Sequence, residues 1–354
     1  MARTPRHISR GYSSGSRAQA FDAAGASGLA FLNSQLELID TNIVEPLQAT
    51  TYKDHITVKT GGGYAQFTSA WATNYATTGT QTYGLVGTNT TDIPVAQADV
   101  QKAVWSTYLW QMAIVVSFID LQRMEFALRN GQAPPVSLQQ MYEESVDTTW
   151  HKALDFVTYA GYEGGAALIN NPDVYEYVAA NGASGSPHWA NKTPQEILVD
   201  VNTAQTQTLS NSGYAAKDGL ADTLLIPYKQ FNLLSQPQAI AGVPVAMSTK
   251  EYIEKYCIAA HYGVEFKIEP LPDPWIVGTG VGNTNPPGQP GNGTDRAVYY
   301  KNDEKSLLLR IPQVKTKIGT TPVHGGISYE SAFVGVIGSI NFRRTTTMVY
   351  QDSI

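Results

Sequence analysis

Residues 69–92, SAWATNYATTGTQTYGLVGTNTTD, are rich in Thr, carry a single charged side chain and show no helical period. The segments flanking them are extended in character. HITVKTGGGYAQF reads as a strand broken by Gly61–Gly63. VAQADVQKAVWSTYLWQ places Val100, Val104 and Tyr108 on one face of a strand, although a spacing of four suits a helix as well. Two long extended arms around a polar tip make an outsized hairpin. Its tip is too long for an economical turn, and a loop of that length is functional or disordered.

Helical segments surround this hairpin. Leu29, Leu36, Ile39 and Ile43 fall at helical spacing within 27–47, with Pro46 near the end. A short helix over Phe118, Leu121, Glu125 and Leu128 has Ser117 as its N-cap and Asn130-Gly131 as its stop. After Pro134-Pro135, Ser137-Leu138-Gln139-Gln140 fits a capping box. It opens a helix to about Tyr159, with Leu138, Met141, Val146, Trp150, Ala153 and Val157 on one side. That spine should be about 35 Å long at roughly 1.5 Å per residue. The glycines of GYEGGAALINNPDV, Gly161–Val174, could cradle a phosphate, but no Lys-Ser/Thr follows them, and Pro172-Asp173 stands where a helix N-terminus should receive the anion. A reversal remains: Gly161 ends the spine, Gly164-Gly165 turn the chain, and Ala166–Ile169 pack back.

From Thr193 strands and helices alternate. Thr193-Pro194-Gln195-Glu196 combines an N-cap, a proline at the first helical position and a capping glutamate. TLLIP at 223–227 is a buried-strand candidate, Ser248-Thr249-Lys250-Glu251 caps another helix, and VEFKIEP alternates through Val264, Phe266 and Ile268. The Gly/Pro/Asn-rich loop at 278–293 reads as a mobile surface excursion. SLLLRIP, SAFVGVIGSI and TTTMVY end the chain in β-rich segments. The class is α+β.

Composition narrows the function. Of 354 residues, 15% are charged and 10% aromatic, with a formal net charge of −6. So few charges suit a chain whose surface meets other protein, and equally an ordinary globular protein rich in Thr, Asn, Gln and Ser. Arg3, Arg6, Arg10 and Arg17 precede the first acidic residue, Asp22. Such an arm suits nucleic acid or the acidic face of a neighbouring subunit. The apolar run near Met112–Ile119 is too short to span a bilayer, so no membrane role is expected.

Chemistry is harder to find. Cys257 is the only cysteine, which excludes an intrachain disulfide and a Cys-based metal cluster. The six histidines form no i, i+4 pair on a helix. Gly182-Ala183-Ser184-Gly185-Ser186 lacks the last glycine of a nucleophile elbow, and Gly278–Gly282 lacks the helix a dinucleotide loop needs. His151, near Glu144, Asp147 and Asp155, reads as a helix surface with i, i+4 charge pairs. No catalytic, cofactor-binding or metal-binding residue is proposed, and no enzyme is expected.

The order of parts resembles the major capsid proteins of tailed bacteriophages, which adopt the Hong Kong 97-type shell fold shared with encapsulin-type compartments. The resemblance rests on the hairpin, the short helix ending in Arg129-Asn130-Gly131, the proline-flanked spine and Gly-x-x-Gly-Gly-Ala-Ala-Leu-Ile-Asn-Asn-Pro-x-Val. Trp189, the run Thr193–Asp200, and Thr223–Pro227 followed by Phe231 and Leu234 extend it; Phe231 stands where a tyrosine is expected.

The resemblance implies an N-terminal arm and first helix at 1–49 and an extended loop at 50–104. It implies a peripheral domain at 105–192 with its spine helix at 137–159, an axial domain at 193–309, and C-terminal strands at 310–354 returning to the peripheral domain. It implies a structural subunit that assembles as pentamers and hexamers into an icosahedral shell around double-stranded DNA, held on the inner face without sequence specificity. Portal, scaffolding or decoration proteins would be further partners, the host bacterial cytoplasm the place of assembly, and the virion the destination. Arg3, Arg6, Arg10, Arg17, Trp71, Tyr75 and Tyr83 are the intersubunit contact candidates. Some members crosslink a lysine to an asparagine between subunits; Lys53 and Lys59 lie at the base of the loop and not near its tip, so no such chemistry is expected here. The alternatives are a cargo-holding compartment shell and, from another class, a phage-associated carbohydrate-binding or carbohydrate-active protein.

Overall fold

Gly61, Gly62 and Gly63 all take positive φ (114°, 131° and 64°), a region that costs L-residues a Cβ clash, and so cut the first extended segment in two. The structure is a computed structural model describing residues 50–78, 95–129, 138–240, 243–286 and 288–354. The helix expected within 27–47, the arginine arm, Tyr83 and the capping Ser137 lie outside the described residues. Before the glycines come a helical turn, Tyr52–His55, and strand β1 (Val58–Thr60); after them comes β2 (Phe67–Thr78). Strand β3 (Val95–Ser117) is 23 residues long, about 75 Å at roughly 3.3 Å per residue. Of the two readings open for this stretch, strand prevails.

Ser117 Oγ accepts the Ile119 N–H at 3.2 Å, so β3 passes directly into helix α1 (Phe118–Arg129). The spine, α2 (Leu138–Tyr159), has 22 residues. It buries Val146, Trp150, Leu154 and Val157, an i, i+4, i+8, i+11 stripe. Met141, expected on that stripe, is exposed. The reversal behind the spine has the expected form. Gly161 has φ 78°, and a Cβ there would stand 2.2 Å from Gly165 O. Leu168 N–H donates to Thr158 O at 3.0 Å, and Asn170 Nδ2 donates to Ala160 O at 2.9 Å.

Strand β4 (Tyr175–Val178) precedes helix α3 (Pro194–Asn211), whose capping box is complete: Thr193 N–H donates to Glu196 Oε2, and Glu196 N–H to Thr193 Oγ1. Then follow β5 (Thr223–Pro227), α4 (Tyr228–Leu234), β6 (Pro237–Ile240) and β7 (Val243–Ser248). Helix α5 (Thr249–Tyr256), with a second complete capping box from Ser248 and Glu251, leads to β8 (Lys267–Leu271) and β9 (Arg296–Tyr300). The last five strands are β10 (Leu307–Ile311), β11 (Gln313–Val323), β12 (Ser328–Gly338), β13 (Ile340–Phe342) and β14 (Val349–Asp352).

These strands form a long antiparallel sheet β11-β12-β3-β2, a mixed sheet β4-β14-β9-β5-β8, and the smaller β1-β10-β13 and β6-β7. β5 and β9 are buried along their whole length, as a sheet covered on both faces requires. One core joins the spine to β9, β10 and β14 through Trp150, Leu154, Tyr159, Leu168, Tyr300, Leu309 and Tyr350. A second lies under α3 and α5, where Trp189, Ile197, Val201, Ile253, Phe266 and the buried Cys257 meet β5 and β9. The 278–293 loop is tied at its base: Gly280 N–H donates to Thr294 O and Gly293 N–H to Gly278 O, both at 2.8 Å.

Candidate assembly interface

Strand β3 changes partner halfway along. From Val95 to Ser106 it pairs with β2, in unbroken register from Thr78↔Val95 to Phe67↔Ser106. From Thr107 to Ser117 it pairs with β12. One strand therefore belongs both to the hairpin and to the layer under the spine.

Directly opposed residues of an antiparallel pair share a face. Phe67, Ser69, Trp71 and Thr73 thus share one face of the hairpin with Ser106, Val104, Lys102 and Val100. The large apolar members stand in solvent: Phe67 is 62% exposed, Trp71 70%, Val100 54% and Val104 52%. Lys102 Nζ lies 5.8 Å from the Trp71 ring centroid, a cation–π contact that covers only part of the indole. Burying such side chains typically stabilises by about 1.5–3 kcal/mol each, so a contiguous exposed row of them marks a contact surface.

The opposite face turns inward at the hairpin's base. Thr68 Oγ1 donates to Asn341 Oδ1 at 3.1 Å, both groups buried. Beyond it opens a groove of about 630 Å³ between Ala70, Ala103 and Trp105 on the hairpin and Phe342, at the end of β13, with Arg343 and Arg344 after it. The base is clamped from both sides. Thr107 Oγ1 donates to Ala65 O at 2.7 Å, and Ser106 O accepts from both the N–H and the Oγ of Ser339 at 3.0 Å. Further along β3, Trp110 meets Trp150 of the spine edge to face at 5.0 Å between centroids. Its partner on β12 is Gly335, where a Cβ would come within 2.6 Å of the Trp150 ring. Only glycine leaves room for that indole.

A clasp joins the start of the hairpin segment to the spine. Asp155 accepts the backbone N–H groups of Thr51 (3.1 Å) and Tyr52 (2.9 Å), acting on the Tyr52–His55 turn as an N-cap would. Tyr52 Oη meets His151 Nδ1 at 3.0 Å, and His55 Nδ1 meets Tyr159 Oη at 2.6 Å. Burial raises the Asp155 carboxyl to about 6 against the pull of those two N–H donors. Burial lowers the His55 imidazole to about 4. His151, expected on a helix surface, does contact Asp147 at 3.6 Å, but its other nitrogen serves this clasp.

Of the contact residues named from sequence, Trp71 lies on the exposed hairpin face. Tyr75 occupies β2 opposite Ala98. Tyr83 and Arg3, Arg6, Arg10 and Arg17 lie outside the described residues. Phe67 and Lys102 were missed on that face. Strict alternation from Trp71 would have found Phe67, four residues away, but the Lys102–Trp71 contact needs the inter-strand register. Among the described residues no group of three or more His, Cys, Asp or Glu could hold a metal ion, and no helix is long and apolar enough to cross a membrane.

A long hairpin, a spine helix and a mixed sheet, with an unburied apolar face on the hairpin, make a subunit shaped to meet other protein. A family model described as Major capsid protein matches residues 82–354, and the chain belongs to that family. Solved structures agree on the fold. The capsid of Myoviridae Phage XM1 superposes with a TM-score of 0.67 at 15% identity, covering 91% of this chain and 98% of that one. The capsid of a native GTA particle gives 0.56 at 8% identity, covering 94% and 99%. A protein of Microbacterium phage Oxtober96 gives 0.55 at 12%, again covering 94% and 99%. No curated protein sequence matches. The chain is a structural, self-assembling capsid protein of a tailed bacteriophage with the Hong Kong 97-type α+β fold; it is not an enzyme, and its place is the virion.

Proposed function

We propose that the chain assembles as pentamers and hexamers into a closed icosahedral shell around double-stranded phage DNA, in the cytoplasm of a bacterial host. The observation that carries this reading is the hairpin, whose Phe67, Trp71, Val100 and Val104 stand exposed although its base is clamped to the body of the subunit. A rigidly based arm with an uncovered apolar face suits the surface of a neighbour, and closed point-group symmetry supplies one to every subunit. In this reading the chain divides into an arm at 1–49, the extended loop at 50–104, a peripheral domain at 105–192, an axial domain at 193–309 and a C-terminal return at 310–354. Trp71, Tyr75 and Tyr83 contact the neighbour through the loop. Arg3, Arg6, Arg10 and Arg17 meet acidic protein or DNA. A portal protein completes the particle, with scaffolding or decoration proteins as additional partners.

Electron microscopy of the purified protein, with absorbance at 260 and 280 nm on the same fraction, tests the proposal. Closed icosahedral shells containing nucleic acid are expected. Shells holding protein cargo in place of nucleic acid would turn the reading to a compartment, and small oligomers alone, even with scaffolding partners added, would overturn it.

A further inference from the structure

The floor of the groove beneath the hairpin is short of hydrogen-bond acceptors. Arg343 N–H donates to Ser306 O at 3.0 Å, which extends the Leu307↔Phe342 and Leu308↔Asn341 register by one pair. Opposed residues share a face, and so do residues two apart along a strand. Ser306, Arg310, Asn341 and Arg343 therefore lie on one face of the β10–β13 ladder. That face meets the base of the hairpin, where Asn341 Oδ1 accepts from Thr68 Oγ1. Each of the four residues carries a buried polar atom without a hydrogen-bond partner among the described residues: Ser306 Oγ, Arg310 Nε, Asn341 Nδ2 and Arg343 Nε. All four atoms can donate. Buried polar groups are paired as a rule, so four unmatched donors on one face share a need for an acceptor.

The groove adds charge to that need. Lys305, Arg343 and Arg344 line it, and no acidic residue does. None of the three makes an ion pair among the described residues, whereas Lys192, Arg296, Lys301, Lys315 and Lys317 each hold a carboxylate. Glu304, next to Lys305 in the chain, is taken by Lys59, and only its main-chain oxygen accepts from Arg343 Nη1, at 3.1 Å. In a chain of net charge −6, three uncompensated cations around one groove are not a by-product of composition.

We propose that this groove is an anion site that takes a phosphate group, with Arg343 and Arg344 as its forks and Lys305 as a further charge. A guanidinium meets phosphate oxygens two at a time, and a tetrahedral phosphate presents oxygens in three dimensions where a carboxylate presents two in a plane. The volume of about 630 Å³ leaves room for the group and for whatever carries it. A free phosphate ion and the backbone of a nucleic acid offer the same chemistry here. The site belongs to the single subunit, so it goes beyond the shell reading and does not depend on it.

Isothermal titration of inorganic phosphate into dissociated full-length subunits at low ionic strength, with chloride at matched ionic strength as the blank, tests this. One saturable site per subunit is expected. Lys305→Gln combined with Arg344→Gln removes two exposed cations and leaves the core untouched. The pair of changes should weaken binding at least about tenfold, with the thermal midpoint in chloride unchanged. Removing the same charge elsewhere, by Lys229→Gln with Lys255→Gln, should leave the affinity as it was. An equal loss there would reduce the effect to net charge and overturn the site. A short DNA duplex that competes with phosphate, with a salt dependence that the Lys305/Arg344 variant flattens, would assign the group to nucleic acid. Phosphate binding without such competition would assign it to the free ion. Absence of saturable binding by either probe, or equal affinity in the Lys305/Arg344 variant, would overturn the proposal. Binding of poly-glutamate in place of phosphate would overturn it in favour of an acidic protein segment.

Discussion

His55 and Asp155 sit in one clasp and respond to acid in opposite senses. Burial depresses the His55 imidazole to about 4, so the fold binds its neutral form. Its contribution is complete above the ordinary histidine range near 6.5 and is lost as pH falls from there towards 4. Asp155 is raised to about 6, so its contribution is complete below the ordinary carboxylate range and is lost as pH rises towards 6. The natural subunit should therefore show a shallow pH profile of thermal stability between 4 and 6.5. In His55→Gln the histidine part disappears, and the Tm gap between natural and variant subunits should narrow as pH falls through that window, by at most about 3 kcal/mol in free energy. A gap that stayed constant would mean that His55 carries its proton in the fold. Where β12 crosses the spine, Gly335→Ala drives a methyl into the Trp150 ring and should cost about 1–3 kcal/mol, read from denaturant midpoints. Neither site was legible in the sequence. The clasp joins residues about a hundred positions apart, and a glycine in SAFVGVIGSI looks like any strand glycine until an indole lies across it.

Helices and turns were far more readable, because their signals are local. The Thr193–Glu196 and Ser248–Glu251 boxes close as their four-residue spacing demands, and Thr193→Ala should lower stability by about 1 kcal/mol in a thermal melt. The spine's end and the reversal behind it followed from Gly161, a glycine where the helix had to stop. Burial along the spine was read less well. Met141 proved exposed while Leu154, one turn from Trp150, is fully buried, because neighbouring elements decide which part of a stripe is covered. Behind α3, Lys192 Nζ meets Asp200 Oδ2 at 2.5 Å and Trp189 Nε1 donates to the same oxygen at 3.0 Å, all buried. Asp200→Ala strands the ammonium in the core and should destabilise by about 3–5 kcal/mol, whereas a surface pair would hardly register.

For the whole molecule, the order of parts in the sequence was enough to give the fold and the family, and what it withheld was register. Replacing residues 71–102 by Asn-Gly would join Ala70 to Ala103, an opposed and hydrogen-bonded pair, through a two-residue hairpin turn that matches strand twist. Such a subunit keeps the Thr68–Asn341 bond and should melt within a few degrees of the natural one, yet light scattering and microscopy should find no closed shells. Normal particles from it would remove the hairpin from assembly. The course of β3 bears on how such a particle carries load. Hairpin and spine layer share one uninterrupted strand, so a pull along the hairpin stresses the β3–β12 bonds in shear, all eleven opposed residues together, and cannot peel them apart one at a time. The subunit is in that sense strung on a tension member, stiff along the direction in which the hairpin reaches out.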